Sequence, residues 1–294
     1  MVFDSSAPID LHIHSTASDG SLSAVEILRT ARQIGLAAIS ITDHDTLEGA
    51  RDALKIGVAG DLKFLPGVEI SAGPPDNLPI SGSMHLLGYN ISLNNQALNH
   101  ELAKLQAARA NRNPEIVRLL NEIGLPMSYE SLLASWDGQL SRPHIASHML
   151  EKGYVTSIDE AFDNYLSRGK PAYVDKYRVD WRRAIEVVRS AGGVCVLAHP
   201  SLLELSDVDT LEGLIVTLKT AGLGGIEVFY PEHTPEQTEF YKTLALRYDL
   251  LMTGGSDFHG AINPHIRMGV GSGDLSVPYS LYEKLIYASS CNKI

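Results

Sequence analysis

The sequence predicts a mixed α/β fold, a strand–helix barrel or parallel sheet interrupted by an all-helical insertion. Three observations predict it. Residues 9–70 alternate strand-like apolar runs with helical spacing in a β-α-β-α-β rhythm. Residues 93–178 carry helical patterns with no strand-like run between them. From residue 181 onward the alternation of helix and strand resumes.

The elements follow in order. Residues 9–14 (Ile-Asp-Leu-His-Ile-His) read as the first strand. Ser21 or Ser23 can cap a helix running to about residue 34, where Gly35 ends it. A second strand, 37–42, runs straight into Asp43-His44-Asp45. A short helix over 47–56 leads to a third strand, 64–70, which carries Glu69. The link 71–83 is too short and too rich in Pro and Gly for a crossover helix. Residues 84–91 therefore read as a returning antiparallel strand, which sets His85 beside the end of the strand bearing Glu69. In the insertion, 98–123 has helical spacing, with Pro114 expected to kink or split it. Residues 129–135, 143–152 and 158–167 read as three shorter helices. Beyond it come helices over 181–191, 211–221 and 235–248, with strands over 194–198, 225–230 and 250–253 between and after them. The last strand runs into Gly254-Gly255-Ser256-Asp257-Phe258-His259, and 281–288 closes the fold as a helix. The expectation is seven core strands in a unit made of 1–92 and 179–294, with 93–178 inserted as a helical cap.

The chain has 294 residues, 44% of them apolar and 20% charged, the composition of an ordinary soluble globular protein. No run approaches the ~18 apolar residues of a membrane span. The first eight residues lack a basic region followed by an apolar one, so no signal peptide is expected. Cys195 sits in an apolar run and Cys291 near the end, so no disulfide framework is expected and a reducing cytoplasm fits. A net charge of −11 argues against long nucleic acid held on a broad basic surface. It does not exclude a small polyanion, because bound divalent cations reverse the local field.

Side chains two apart on a strand share a face, so His12 and His14 can hold one ion if further ligands arrive. His44, Glu69, His199, Asp257 and His259 fall at strand ends, Asp19 follows the first strand, and His85 lies on the returning one. Functional groups of strand–helix barrels collect at the C-terminal ends of the strands. Singly these residues have ordinary readings: a capping Asp19, a core His85, a turn at 256–259. Together at one edge they point to a metal centre, expected to be multinuclear. Imidazole and carboxylate without thiolate suit Zn, Mn or Fe and disfavour Ca. A carboxylate such as Glu69 can bridge two ions within ~4 Å, a pair that activates water and clamps a phosphoryl group. No Ser-His-Asp or Cys-His nucleophile stands out.

Several motifs carry a resemblance. Asp-Leu-His-Ile-His-Ser at 10–15, Ser-Asp-Gly at 18–20 and Thr-Asp-His-Asp at 42–45 stand in the first half. Gly-Val-Glu at 67–69, Ala-His-Pro at 198–200 and Gly-Ser-Asp-Phe-His at 255–259 follow. In combination they resemble the polymerase and histidinol phosphatase (PHP) family. The resemblance implies a distorted seven-stranded (β/α) barrel holding two or three divalent ions, manganese expected, with zinc or iron as alternatives. It implies that His12, His14, Glu69 and Asp257 hold one ion, Glu69, His85 and His199 a second, and Asp19, His44 and His259 a third. The attacking hydroxide would be held through Glu69, Asp257 and His199.

Ser-Arg-Pro-His-Ile-Ala at 141–146 and Tyr-Leu-Ser-Arg-Gly-Lys-Pro-Ala-Tyr-Val at 165–174 resemble the helical cap of bacterial members of that family. Those members act on nucleoside 3′,5′-bisphosphates and short 5′-phosphorylated RNA. The resemblance implies a phosphoesterase that removes the 3′-phosphate from a 3′,5′-bisphosphate, leaving the nucleoside 5′-phosphate. The same site could act as a 5′-to-3′ exoribonuclease; histidinol-phosphate hydrolysis and a non-catalytic module are the remaining alternatives. Arg142 and Lys170 are the expected phosphate-reading cations, one a planar fork and the other a point charge. His144, His233 and Arg267 are further candidate substrate contacts, and Tyr173 could stack on a base. Arg109, Arg112 and Arg118 read mainly as a solvated helix face, with guidance of an RNA backbone as the alternative.

Overall fold

The computed structural model describes residues 7–76, 78–136, 140–205 and 207–291. Residues 1–6, where no signal peptide is expected, and the Cys291 side chain lie outside the described residues. The chain opens with β1 (Ile9–Ile13), α1 (Ala24–Gln33), β2 (Ala38–Ile41), α2 (Glu48–Ile56) and β3 (Lys63–Gly73). Helix α1 starts where Ser23 and Glu26 cap each other reciprocally, and it buries Ala24, Ile27, Leu28 and Ala31 on one face. Strands β1, β2 and β3 pair in parallel. Strand β4 (Met84–Tyr89) returns antiparallel to β3, with Ser71 opposite His85 and Glu69 opposite Leu87. The sequence reading of the 71–83 link therefore holds.

Helices α3 (Gln96–Glu122), α4 (Tyr129–Ala134), α5 (Arg142–Glu151) and α6 (Ile158–Ala161) come next, and no strand interrupts them among the described residues. Here one expectation narrows and another changes. Helix α3 runs through Pro114 without splitting. Its first half packs Leu98, Leu102 and Leu105 into the main core, and its second half packs Ile116, Val117 and Leu120 against Met127, Ile145 and Met149. Burial on both sides of the proline outweighs the one backbone hydrogen bond it removes. The expected helix over 158–167 ends early as α6 and continues as a π-helical turn, Phe162–Leu166.

The return path is β5 (Val179–Asp180), α7 (Trp181–Ser190), β6 (Val194–Leu197), α8 (Val208–Thr220), β7 (Gly225–Phe229), α9 (Pro235–Arg247), β8 (Leu251–Gly254) and α10 (Tyr279–Cys291). Seven strands form one curled path, β1-β2-β3-β4-β6-β7-β8, and the two-residue β5 adds to β3. Its two edges meet through the segment after β8, where the His14 N–H donates to the Phe258 carbonyl at 2.9 Å. Gly255 permits that approach, because a Cβ there would lie 2.3 Å from the His12 backbone nitrogen. Among the described residues, no helix is long and apolar enough to cross a membrane.

Candidate metal centre

The curl of the sheet sets the ends of β1, β2, β3, β6 and β8 around one point. His12 and His14 leave β1 on the same face, and Glu69 reaches them from β3. His12 Nε2 lies 3.4 Å from Glu69 Oε2 and 3.3 Å from Asp257 Oδ1. His14 Nε2 lies 3.2 and 3.1 Å from the same two oxygens. An ion with bonds of about 2.1 Å has ligand-to-ligand edges of about 3.0–3.4 Å, so this spacing is that of a coordination polyhedron. Three more imidazoles gather on Glu69. His44 Nδ1 is 2.8 Å from Oε2, while His85 Nδ1 and His199 Nε2 are 2.7 and 2.9 Å from Oε1. In a third set, Asp19 Oδ1 is 3.6 Å from His14 Nδ1 and 3.4 Å from His259 Nε2, with His44 Nε2 3.9 Å from Asp19 Oδ2.

Whether a cation fits can be judged from the donors themselves. His12 Nε2, His14 Nε2, Asp19 Oδ1, His44 Nδ1, Glu69 Oε2, His85 Nδ1 and Asp257 Oδ1 are all buried without a hydrogen-bond partner among the described residues. Each such atom costs roughly 1–3 kcal/mol if nothing satisfies it. Divalent cations, one to each set, would satisfy them, and the donors are the nitrogen and oxygen types such ions take.

The electrostatics agree. Burial pushes against charge on Asp19, Glu69 and Asp257, yet the surrounding imidazoles hold all three carboxyls well below the usual range. Burial also opposes charge on His14, but Asp257 and Glu69 push it up to about 10. His85 moves the other way, down to about 3, through burial and the Lys176 ammonium, despite Glu69. Without an ion, protons on imidazoles balance the carboxylates; an ion would displace them.

Residues outside the donor set hold it in place. Fully buried Glu227 on β7 accepts from His12 Nδ1 at 3.0 Å and from the His199 backbone N–H at 2.8 Å. That bond puts the His12 proton on Nδ1 and leaves Nε2 free for the centre. Asp43 accepts from the Ser15 N–H and from the Ser15 and Ser18 hydroxyls, each at 2.7 Å, which ties down the turn carrying Asp19. Asp10 accepts from the Ser256 and Gly269 N–H groups at 2.9 and 2.7 Å, anchoring the segment that bears Asp257. Tyr230 donates to Asp257 Oδ2 at 3.1 Å, leaving Oδ1 to the cluster. Asp257 and Asp45 stand at φ 53° and 57° and His199 at 21°, backbone strain of roughly 1–3 kcal/mol apiece of the kind found at functional sites.

A recess of about 140 Å³ opens beside Asp19, His44 and His85, lined on its other side by Arg109, Arg112, Arg142 and Lys176. Arg109 pairs with Asp45 at 2.5 Å. Arg112 is buried with Nε unpartnered among the described residues, and burial with the charges of Arg142 and Arg109 pushes it down to about 9. Lys176 Nζ lies 3.1 Å from His85 Nε2, and burial together with the neighbouring arginines pushes it down to about 7, against the pull of Asp45. Four cations face few counter-charges here, an arrangement that attracts an anion.

The expected substrate contacts divide. Arg142 lines the recess, its Nη1 donating to the Leu166 carbonyl at 3.1 Å and its guanidinium 5.7 Å from the Phe162 ring. His144 is buried on α5 against Trp136 and accepts at Nδ1 from the Ser141 N–H at 3.0 Å. Burial pushes it down to about 4, so it is neutral with its proton on Nε2. His233 gives its Nδ1 proton to the Val228 carbonyl and packs between Tyr230 and Tyr241, supporting the tyrosine that holds Asp257. Tyr173 donates to Asp175 at 2.7 Å and lies beside Arg142. Lys170 stands exposed on a turn and is not part of the recess wall; Lys176, six residues on, is. Arg267 is likewise exposed, in a tight hairpin with its guanidinium near Gly273. Of the arginine series on α3, only Arg118 sits on a solvated face, paired with Glu115 and Glu122. Arg109 and Arg112 turn inward, because that stretch of α3 lies over the strand ends.

Donors for divalent cations, set at the rim of a curled α/β sheet beside a pocket that draws anions, define a class: the metal-dependent phosphoesterases. The chain belongs to the PHP domain family, whose model matches residues 10–192. It is 33% identical to a 5′-3′ exoribonuclease of Haemophilus influenzae over 85% of its own length and 89% of the relative's. It is 31% identical to a 3′,5′-nucleoside bisphosphate phosphatase of Chromobacterium violaceum, over 86% and 87% of the two chains. A phosphoribosyl 1,2-cyclic phosphate 1,2-diphosphodiesterase of Eggerthella lenta is 32% identical over 87% and 97%. Among solved structures, a candidate metal-dependent phosphoesterase of Bifidobacterium adolescentis superposes with a TM-score of 0.83, at 29% identity and 96% coverage of both chains. The protein is thus a phosphoesterase, a hydrolase of the PHP family.

Proposed function

We propose that the protein hydrolyses the 3′-phosphoester of a 5′-phosphorylated nucleoside, with nucleoside 3′,5′-bisphosphates as substrates and the nucleoside 5′-phosphate and phosphate as products. The observation that carries this reading is the cationic recess against the donor cluster. A phosphate held there by Arg109, Arg112 and Arg142 lies in the same recess that Asp19, His44 and His85 line, so a second phosphate of the same nucleotide can meet the cluster.

In this reading His12, His14, Glu69 and Asp257 would hold one ion, and Glu69, His85 and His199 a second. Asp19, His44 and His259 would hold a third, with each imidazole giving one ring nitrogen to one ion. Bound divalent ions, manganese in our reading, supply Lewis acidity and lower the pKa of water. The chain's own groups do the rest. Glu227 keeps His12 in one tautomer, Tyr230 keeps one oxygen of Asp257 turned to the cluster, and the arginines fix the 5′-phosphate. Lys176, on the recess wall 3.1 Å from His85, adds positive charge beside the cluster when protonated. A reducing cytoplasm is the compartment we propose, on the two-cysteine composition.

A second reading shares the site: 5′-to-3′ exonuclease action on short 5′-phosphorylated RNA, in which the bond cut is again a 3′-phosphoester. The names of the Haemophilus and Chromobacterium relatives support both.

Replacing Arg112 with Met tests the recess. Loss of a hydrogen-bonded charge predicts a fall in kcat/KM of about 10- to 100-fold for the 3′,5′-bisphosphate, with a nucleoside 3′-monophosphate affected by no more than about twofold. Equal falls for both substrates would remove the recess from 5′-phosphate recognition.

A further inference from the structure

The centre has a second, larger recess. A cavity of about 750 Å³ opens from Asp257 and His259, between α5 and the α6 turn on the cap side and the loops after β7 and β8 on the other. Pro143 lines this cavity and the cationic recess alike, so the two flank the donor cluster beneath one cap residue. Building on the function proposed above, we infer that this cavity seats the nucleoside on the 3′ side of the scissile phosphate.

Charge and shape both point there. The cationic recess carries three arginines and a lysine, whereas the lining of the large cavity includes Asp159 and Glu232 and neither Arg nor Lys. A terminal phosphate dianion is drawn to the first and repelled from the second. What suits the second is uncharged and flat with polar edges. Leu150, Ile158 and Tyr230 offer apolar and aromatic surface, and Ser147 and Asn263 offer hydrogen bonds, the combination that receives a nucleobase and its ribose. On this placement a 3′,5′-bisphosphate, which ends at the scissile phosphate, leaves this space unfilled. An oligonucleotide fills it.

The chemistry balances on that placement. The oxygen of water bonds to phosphorus and the P–O3′ bond of the first nucleotide breaks. The departing 3′-oxygen takes a proton, while the phosphate stays on the 5′-oxygen of the second nucleoside. The first nucleotide leaves with a free 3′-hydroxyl, and the remainder carries a new 5′-phosphate, the group that the cationic recess takes. Cations at one end and carboxylates at the other thus set the polarity with which a strand enters.

The test uses the manganese-loaded protein and three substrates: a 5′-phosphorylated dinucleotide, the same compound with a methyl group in place of the second nucleoside, and the 3′,5′-bisphosphate. The unmodified protein should favour the dinucleotide over the methyl diester by about tenfold or more in kcat/KM. Ser147→Trp from the cap wall, or Ile262→Trp from the facing loop, should shrink that preference to about twofold, with bisphosphate turnover reporting that the variant is folded. Equal use of dinucleotide and methyl diester by the unmodified protein overturns the subsite, and so does a preference that survives in the tryptophan variants. Failure to hydrolyse any of the three overturns the proposed function itself, and the subsite with it.

Discussion

Glu69→Gln is expected to abolish turnover, lowering kcat/KM by about three orders of magnitude or more. Glu69 is fully buried, and its two oxygens face five imidazoles: His12, His14 and His44 on Oε2, and His85 and His199 on Oε1. Glutamine keeps the shape but removes the charge and turns an N–H₂ group toward one set of ring nitrogens. One carboxylate oxygen can serve a cation on each side; an amide can serve one side alone. The substitution should therefore reduce bound manganese as well as rate, while circular dichroism stays that of the unmodified protein. Elemental analysis and phosphate release on the same sample check this, and full turnover by the variant would sink the metal mechanism.

Glu227→Gln should cost about 10- to 100-fold in activity or metal affinity although Glu227 belongs to none of the donor sets. Its carboxylate fixes the His12 tautomer through Nδ1 and receives the His199 N–H, where the backbone is already strained. An amide can accept one of those bonds while presenting a donor to the other. The expected signature is weaker manganese binding, with more metal needed for half-maximal rate. An unchanged metal titration would reduce Glu227 to an ordinary core residue.

The donor residues were legible because their chemistry coincides with periodicity. His12 and His14 alternate on a strand, and His44, Glu69 and Asp257 follow apolar runs whose ends must meet once the sheet curls. The antiparallel return of β4 was legible from the short Pro/Gly link. Glu227 was not: one carboxylate inside an apolar strand carries no spacing signal, and its role appears only when β7 is set between β6 and β8. Asp43 and Asp10 stood inside quoted motifs, but what they hold, the turns at 15–18 and 256–269, is a tertiary fact. On α3 the pattern does not separate Arg109 and Arg112 from Arg118, because the sequence does not say which stretch of the helix lies over the strand ends. The same holds for Lys170 and Lys176 in an irregular segment, where no period dictates which lysine turns inward. Local pattern located the chemistry; the packing of α3 and of the 167–178 segment decided which cations reach it.

Product analysis of the manganese-loaded protein given adenosine 3′,5′-bisphosphate shows which phosphoester is cut and whether metal is needed. Phosphate and adenosine 5′-phosphate are expected in equal amounts, with both lost when the metal is chelated. Release of adenosine 3′-phosphate, or turnover that persists without metal, would contradict the proposed function.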